Sequence, residues 1–143
     1  MTKLIDKLLT KGELLGSRAF GCQTRTSDWD IALTKENYNA LVLGADLGKG
    51  IIESISNRYK DLKSIYGDNL EQMVQITFED KPKIDLFIFK SQESIDKLLA
   101  AISIMRKLPS KELMDKDIRI KKWLAALYSV DLTKNLMEYK NEA

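Results

Sequence analysis

Residues 14–33 read LLGSRAFGCQTRTSDWDIAL, and the reading of this stretch decides the fold. Glu13-Leu14-Leu15 is a short apolar strand cut off by Gly16-Ser17, and Arg18 to Gly21 can start a helical turn. A glycine between strand and helix lets backbone N–H groups approach a ligand, and a helix start adds positive potential, so a phosphate can sit there. A Gly-Ser turn after a strand is also ordinary punctuation. Separated from Ser17 by ten residues, Asp28 and then Asp30 flank Trp29 at the start of a strand spanning Trp29 to Thr34. Side chains at i and i+2 share one face of a strand, so the two carboxylates converge while Trp29 and Ile31 point the other way, toward a core. Like charges about 7 Å apart along a strand repel, a cost tolerated when a divalent cation lies between them. An exposed strand end with plain polar alternation is the other reading.

Outward from this stretch the pattern is helical on both sides. Thr2 to Lys11 carries Leu4, Ile5, Leu8 and Leu9 at helical spacing, and Gly12 is expected to end that helix in a left-handed conformation. Cys22 to Ser27 reads as a polar loop. Thr34 is placed to cap a helix over Lys35–Leu43, and glycines 44, 48 and 50 precede a second helix expected over about Ile51–Leu62. Met73–Phe78 and Lys83–Phe89 are rich in β-branched and aromatic residues and are joined by a hairpin-like Glu79-Asp80-Lys81-Pro82. Ser91 can cap a helix with Ile95, Leu98, Leu99, Ile102 and Met105 on one face, ended by Pro109. Ser110 can cap a last helix running past Trp123 and Leu127. The expectation is one domain of the α/β (α+β) class over residues 1–143: a small mixed β-sheet flanked by helices, with a core over about 1–90 and a helical tail over about 91–143.

Composition narrows the chemistry. The chain has 143 residues, 44% apolar and 31% charged, a globular mixture rather than a disordered or fibrous one. It contains no histidine, which removes Ser-His-Asp and Cys-His catalysis and every His-ligated metal site. Its one cysteine, Cys22, excludes internal disulfides and CxxC motifs, and nothing near it in sequence marks it as a nucleophile. Chemistry is left to carboxylates, hydroxyls, Lys, Arg and a hard metal ion. The net charge of +2 is no general nucleic-acid footprint, although Arg106 to Lys122 holds seven basic residues against three acidic ones. No apolar run approaches the roughly 20 residues of a membrane span, and the first residues carry no signal-peptide core, so a cytoplasmic protein without a membrane partner is expected.

A third carboxylate lies inside the most hydrophobic strand, KIDLFIF, as Asp85. Left unpartnered there it would cost several kcal/mol. Arg, Lys or a metal shared with Asp28 and Asp30 would each meet the need.

Together these features resemble the minimal nucleotidyltransferases: a hydrophobic strand, Gly-Ser, ten residues, Asp-x-Asp and an apolar strand, then a third aspartate on a later hydrophobic strand. The resemblance covers about residues 13–90 and extends to the tail only in kind. Phe20 departs from it, standing where small members more often carry a polar residue or arginine, and the loop Cys22–Thr26 lacks the usual Pro and Asp.

The resemblance implies a transferase that uses two Mg²⁺ ions, with Mn²⁺ as the alternative, to move a nucleoside monophosphate from an NTP, ATP first, to an acceptor hydroxyl. Asp28 and Asp30 would bridge both metals, Asp85 would complete the one facing the acceptor, and Gly16 and Ser17 would hold the β and γ phosphates. Arg18 would add charge at the triphosphate or make a surface salt bridge. Lys116, Arg119 and Lys122 recur at i, i+3 and i+6 beside Trp123, as a solvated face or as a tail folding back on triphosphate or acceptor; Lys116 and Arg119 are the nucleotide-binding candidates. The first-ranked acceptor is a side chain of a partner protein. A small molecule or an RNA end is the alternative, for which a chain this short would need a homodimer, and a non-catalytic NTP-binding module is the third reading.

Overall fold

The computed structural model describes residues 2–44, 51–54, 66, 69–77 and 81–142. Five strands form one mixed sheet: β1 (Glu13–Leu15), β2 (Trp29–Thr34), β3 (Ile51–Ser54), β4 (Leu70–Thr77) and β5 (Ile84–Phe89), in the order β1-β2-β5-β4-β3. The β2–β5 pair is parallel and the other three pairs are antiparallel. Helices α1 (Thr2–Leu9), α2 (Gly16–Phe20) and α3 (Lys35–Gly44) interleave with the first strands. Helices α4 (Gln92–Met105), α5 (Ser110–Met114) and α6 (Lys116–Glu142) follow the sheet. The α+β class expected from the sequence is the class observed.

Strand alternation sorts the core into two layers. Ile31, Leu33, Ile84, Leu86 and Ile88 face α1, where Leu4, Ile5 and Leu8 close over them. Ala32, Phe87, Phe89 and Met73 face the opposite way, against Leu98, Ile102 and Met105 of α4 and Trp123 of α6. Asp30 and Asp85 belong to this second face by register, so both carboxylates lie on the side covered by the C-terminal helices.

Several local expectations change. Ile51–Ser54 is not helical: it pairs antiparallel with Val74–Thr77 as the edge strand. A short apolar run has no period to separate helix from strand, and pairing decides it. The remainder of that expected helix, glycines 48 and 50, Phe78 and the Glu79-Asp80 part of the hairpin turn lie outside the described residues. Thr34 caps α3 as expected, accepting from the Asn37 N–H at 3.1 Å. Ser91 precedes α4 without a side-chain capping bond, and its hydroxyl lies 3.3 Å from that of Ser94 instead. The last helix is broken in two: Asp115 adopts an extended backbone (φ −86°, ψ 114°) and its carboxylate accepts from the Ile118 N–H at 3.1 Å, capping α6.

Gly12 ends α1, with its N–H on the Leu8 carbonyl at 2.8 Å, but its φ is not positive. It is needed for space. A Cβ there would lie 2.8 Å from side-chain carbons of Ile31 and Leu33 and 2.9 Å from the Ala32 carbonyl oxygen. The backbone oxygen cannot give way. Gly12→Ala is therefore expected to destabilise the chain by about 1–3 kcal/mol through overpacking, outweighing the roughly 0.4–1 kcal/mol gained from a stiffer unfolded chain. Urea denaturation midpoints of the two proteins check the sign.

Candidate active site

The turn between β1 and α2 is built around Asp30. Leu15 pairs with Asp30 across the β1–β2 ladder, so the chain turns beside that carboxylate. Gly16 has φ +65°, a left-handed conformation costly for other residues, and a Cβ on it would run into the Asp30 carboxylate. Glycine is required twice here, by conformation and by contact. Ser17 follows at the start of the helix.

The loop that leads into β2 is held by its own hydroxyls. The Thr24 N–H donates to Ser27 Oγ at 2.8 Å, and Thr24 Oγ1 lies 3.2 Å from both Thr26 Oγ1 and Ser27 Oγ. This short net of Ser and Thr bonds sets the approach to Asp28, which is exposed, while Asp30 is half-buried.

Asp85 stands beside Asp30 in the parallel β2–β5 ladder and is 2% exposed. Gln75, its partner on β4, donates from Nε2 to Asp85 Oδ1 at 2.9 Å. The strand pairing thus draws Asp30, Asp85 and Gln75 into one polar row across the buried face of the sheet.

Helix α6 closes the other side. Phe20 and Trp123 pack with ring centroids 5.3 Å apart, pinning the first turns of α6 against α2. Lys116, Arg119, Ile120 and Trp123, at i, i+3, i+4 and i+7, consequently face Gly16, Ser17, Phe20, Ser27, Asp28, Asp30 and Tyr66 around a cavity of about 340 Å³. Arg119 Nη1 donates to the Leu113 carbonyl at 2.8 Å, bracing the α5–α6 corner. A guanidinium carries five N–H donors, so this anchor does not exhaust it. Two carboxylates, Asp28 and Asp30, and two cations, Lys116 and Arg119, thus line the same cavity.

Of the residues singled out from sequence, Gly16, Ser17, Asp28, Asp30, Lys116 and Arg119 line this cavity. Arg18 does not. Its guanidinium lies 3.8 Å from the Trp29 ring centroid and Nη2 donates to the Ser27 carbonyl at 3.0 Å. Desolvation lowers its pKa from the ordinary value, with Asp28 pulling the other way. In this position Arg18 braces Trp29 and the loop that carries Asp28. Lys122 is also turned aside, with Nζ 3.8 Å from Glu112 Oε1. Asp85 is absent from the lining and reaches the site through its place beside Asp30.

Sequence reasoning missed Tyr66, which lines the cavity and packs edge-on against Phe87 and Phe89, with centroids at 5.7 and 5.8 Å. No spacing rule connects that tyrosine to Asp28. Ile120 was findable, since it lies on the helical face that Lys116 begins and that Trp123 shares.

The donor chemistry at Asp28, Asp30 and Asp85 fits a hard divalent cation, being oxygen alone in a chain without histidine. Among the described residues, no three carboxylates or cysteines gather into a single metal-holding group. No helix among them is long and apolar enough to cross a membrane. No protein-family model matches this chain, and no curated protein or solved structure matches it either.

Proposed function

We propose that the chain is a metal-dependent nucleotidyltransferase that moves a nucleoside monophosphate from an NTP, ATP first, to an acceptor hydroxyl on a partner protein. The observation that carries this reading is the single cavity in which the Gly16–Ser17 turn and the Asp28–Asp30 pair face Lys116 and Arg119. These residues come from three separate parts of the sequence, and each supplies what a metal–triphosphate needs. Backbone N–H groups and the Ser17 hydroxyl would hold the phosphate tail, with Lys116 and Arg119 balancing its charge. Asp28 and Asp30 would hold Mg²⁺ or Mn²⁺, with Asp85 as the third carboxylate beside Asp30. When bound, the ion would neutralise charge on the leaving pyrophosphate and lower the acceptor hydroxyl's pKa. Tyr66, Phe20 and Trp123 give the cavity an aromatic lining beside these polar groups, and that surface suits a nucleobase.

The second reading is a module that binds NTP without turnover. It is favoured by the burial of Asp85 against Gln75, away from the cavity lining. Incubation with each α-labelled NTP and a host lysate, with and without EDTA, separates the two. Label on a protein band that disappears with EDTA is the expected result. Label on a small molecule or RNA redirects the acceptor, and no label under any condition favours the binding module.

A further inference from the structure

Asp28 borders a second cavity. About 370 Å³ in volume, it is lined by Thr26, Asp28, Lys81, Pro82 and Lys83. Asp28 is common to this cavity and to the one that holds Gly16, Ser17, Lys116 and Arg119, so the two cavities adjoin at this residue. The far wall is fixed to the strand that carries the carboxylates: the Trp29 N–H donates to the Lys83 carbonyl at 2.8 Å, one residue before β5 begins. The near wall belongs to the hydroxyl-bonded loop at Thr24–Ser27. Lys81 and Lys83 are both exposed.

We propose that this second cavity is the acceptor subsite, and that it takes a hydroxyl-bearing side chain lying in an acidic stretch of polypeptide. The inference rests on the nucleotidyltransferase reading above and narrows its protein acceptor to a hydroxyl in an acidic sequence context at this cavity. In a displacement at phosphorus the entering and leaving oxygens lie in line on opposite sides. A triphosphate tail held at Gly16, Ser17, Lys116 and Arg119 sends the pyrophosphate out at that end, so the acceptor enters from across Asp28. There its oxygen forms the bond to the α-phosphorus of the NTP. The bond from that phosphorus to the bridging oxygen breaks with its electron pair on pyrophosphate, and the hydroxyl proton passes to water.

The lining sets the class of acceptor. Lys81 and Lys83 line this cavity together with Asp28, a lining suited to a neutral hydroxyl beside the carboxylate with negative charges on either side of it set against the ammonium groups. An RNA end would bring a base that needs an aromatic or guanidinium plane to stack on, and among the described residues that line this cavity there is neither. An acidic peptide needs only the charges that are present.

The test uses the full chain, Mg²⁺, α-labelled ATP and two synthetic peptide pairs. One pair carries Tyr and the other Ser between two glutamates on each side or two lysines on each side. The wild-type protein is expected to label an acidic peptide at least about tenfold faster than its basic counterpart, equivalent to about 1.4 kcal/mol. That preference should shrink as KCl is raised, because the lysines are exposed. In the double variant Lys81→Glu, Lys83→Glu the preference should vanish or reverse. Equal labelling of both peptides, preference for the basic one, a preference that the double variant retains, or labelling of a 3′-hydroxyl oligonucleotide but no peptide would each overturn the acceptor assignment. Calorimetric titration of the same preparation with Mg²⁺ and ATP keeps the two readings apart. Heat of binding without peptide labelling removes the acceptor subsite alone, whereas no binding removes the nucleotidyltransferase reading with it.

Discussion

Asp30→Asn is expected to lower nucleotidyl transfer by about 10³-fold, roughly 4 kcal/mol in the barrier, while the chain stays folded. Asp30 is tied into the site in three ways: it pairs with Leu15 just before the turn, its carboxylate fills the space that Gly16 leaves open, and it lines the same cavity as Lys116 and Arg119. Asparagine keeps the shape that Gly16 accommodates and removes the charge that would hold the cation. Removing that charge also relieves repulsion from Asp85, its neighbour in the β2–β5 ladder, so no loss of fold accompanies the loss of rate. Initial rates beside far-UV circular dichroism check both halves. A variant that loses secondary structure would make Asp30 a structural residue.

Asp85→Asn separates catalysis from stability more sharply. Asp85 is 2% exposed, accepts a hydrogen bond from Gln75 at 2.9 Å and lies in register beside Asp30. Asparagine retains an oxygen for Gln75 and removes a charge buried next to a like charge. In EDTA the variant should therefore melt at the wild-type temperature or above it, and its transfer activity should fall with that of Asp30→Asn. If the fold instead depended on the Asp85 charge through a buried cation, removing it would cost about 3–5 kcal/mol and lower the melting temperature by many degrees. Thermal melts in EDTA give the answer without any substrate.

How far the sequence carries the structure is visible at particular residues. Asp-x-Asp before Ile31-Ala32-Leu33 and Asp85 within KIDLFIF were legible because strand alternation dictates which side chains share a face, and the β2–β5 register then sets Asp30 beside Asp85. Gly16 was legible as a turn, but its second requirement, contact with Asp30, exists only once β1 pairs with β2. Ile51–Ser54 misled because four residues carry no helical or strand period until β4 lies beside them. Gly12 was read as a left-handed terminator and proves to be a packing residue, since the side chains it meets are about twenty positions away. Arg18 was drawn toward phosphate by its place after Gly-Ser, yet the Trp29 ring competes for it eleven residues later. The fate of Lys116 and Arg119 turned on long-range packing as well: the Phe20–Trp123 contact brings that face of α6 to the cavity and leaves Lys122 with Glu112.

In the proposed function the Gly16–Ser17 turn, the Asp28–Asp30 pair and the Lys116–Arg119 face form one site for a metal–nucleoside triphosphate. Isothermal calorimetry with a non-hydrolysable ATP analogue tests it most directly, run in Mg²⁺ and in EDTA on wild type and on Asp30→Asn. Binding in Mg²⁺ that EDTA abolishes, and that Asp30→Asn loses, is the predicted result. Equal affinity with and without EDTA, or no binding to the wild-type protein in Mg²⁺, would contradict it.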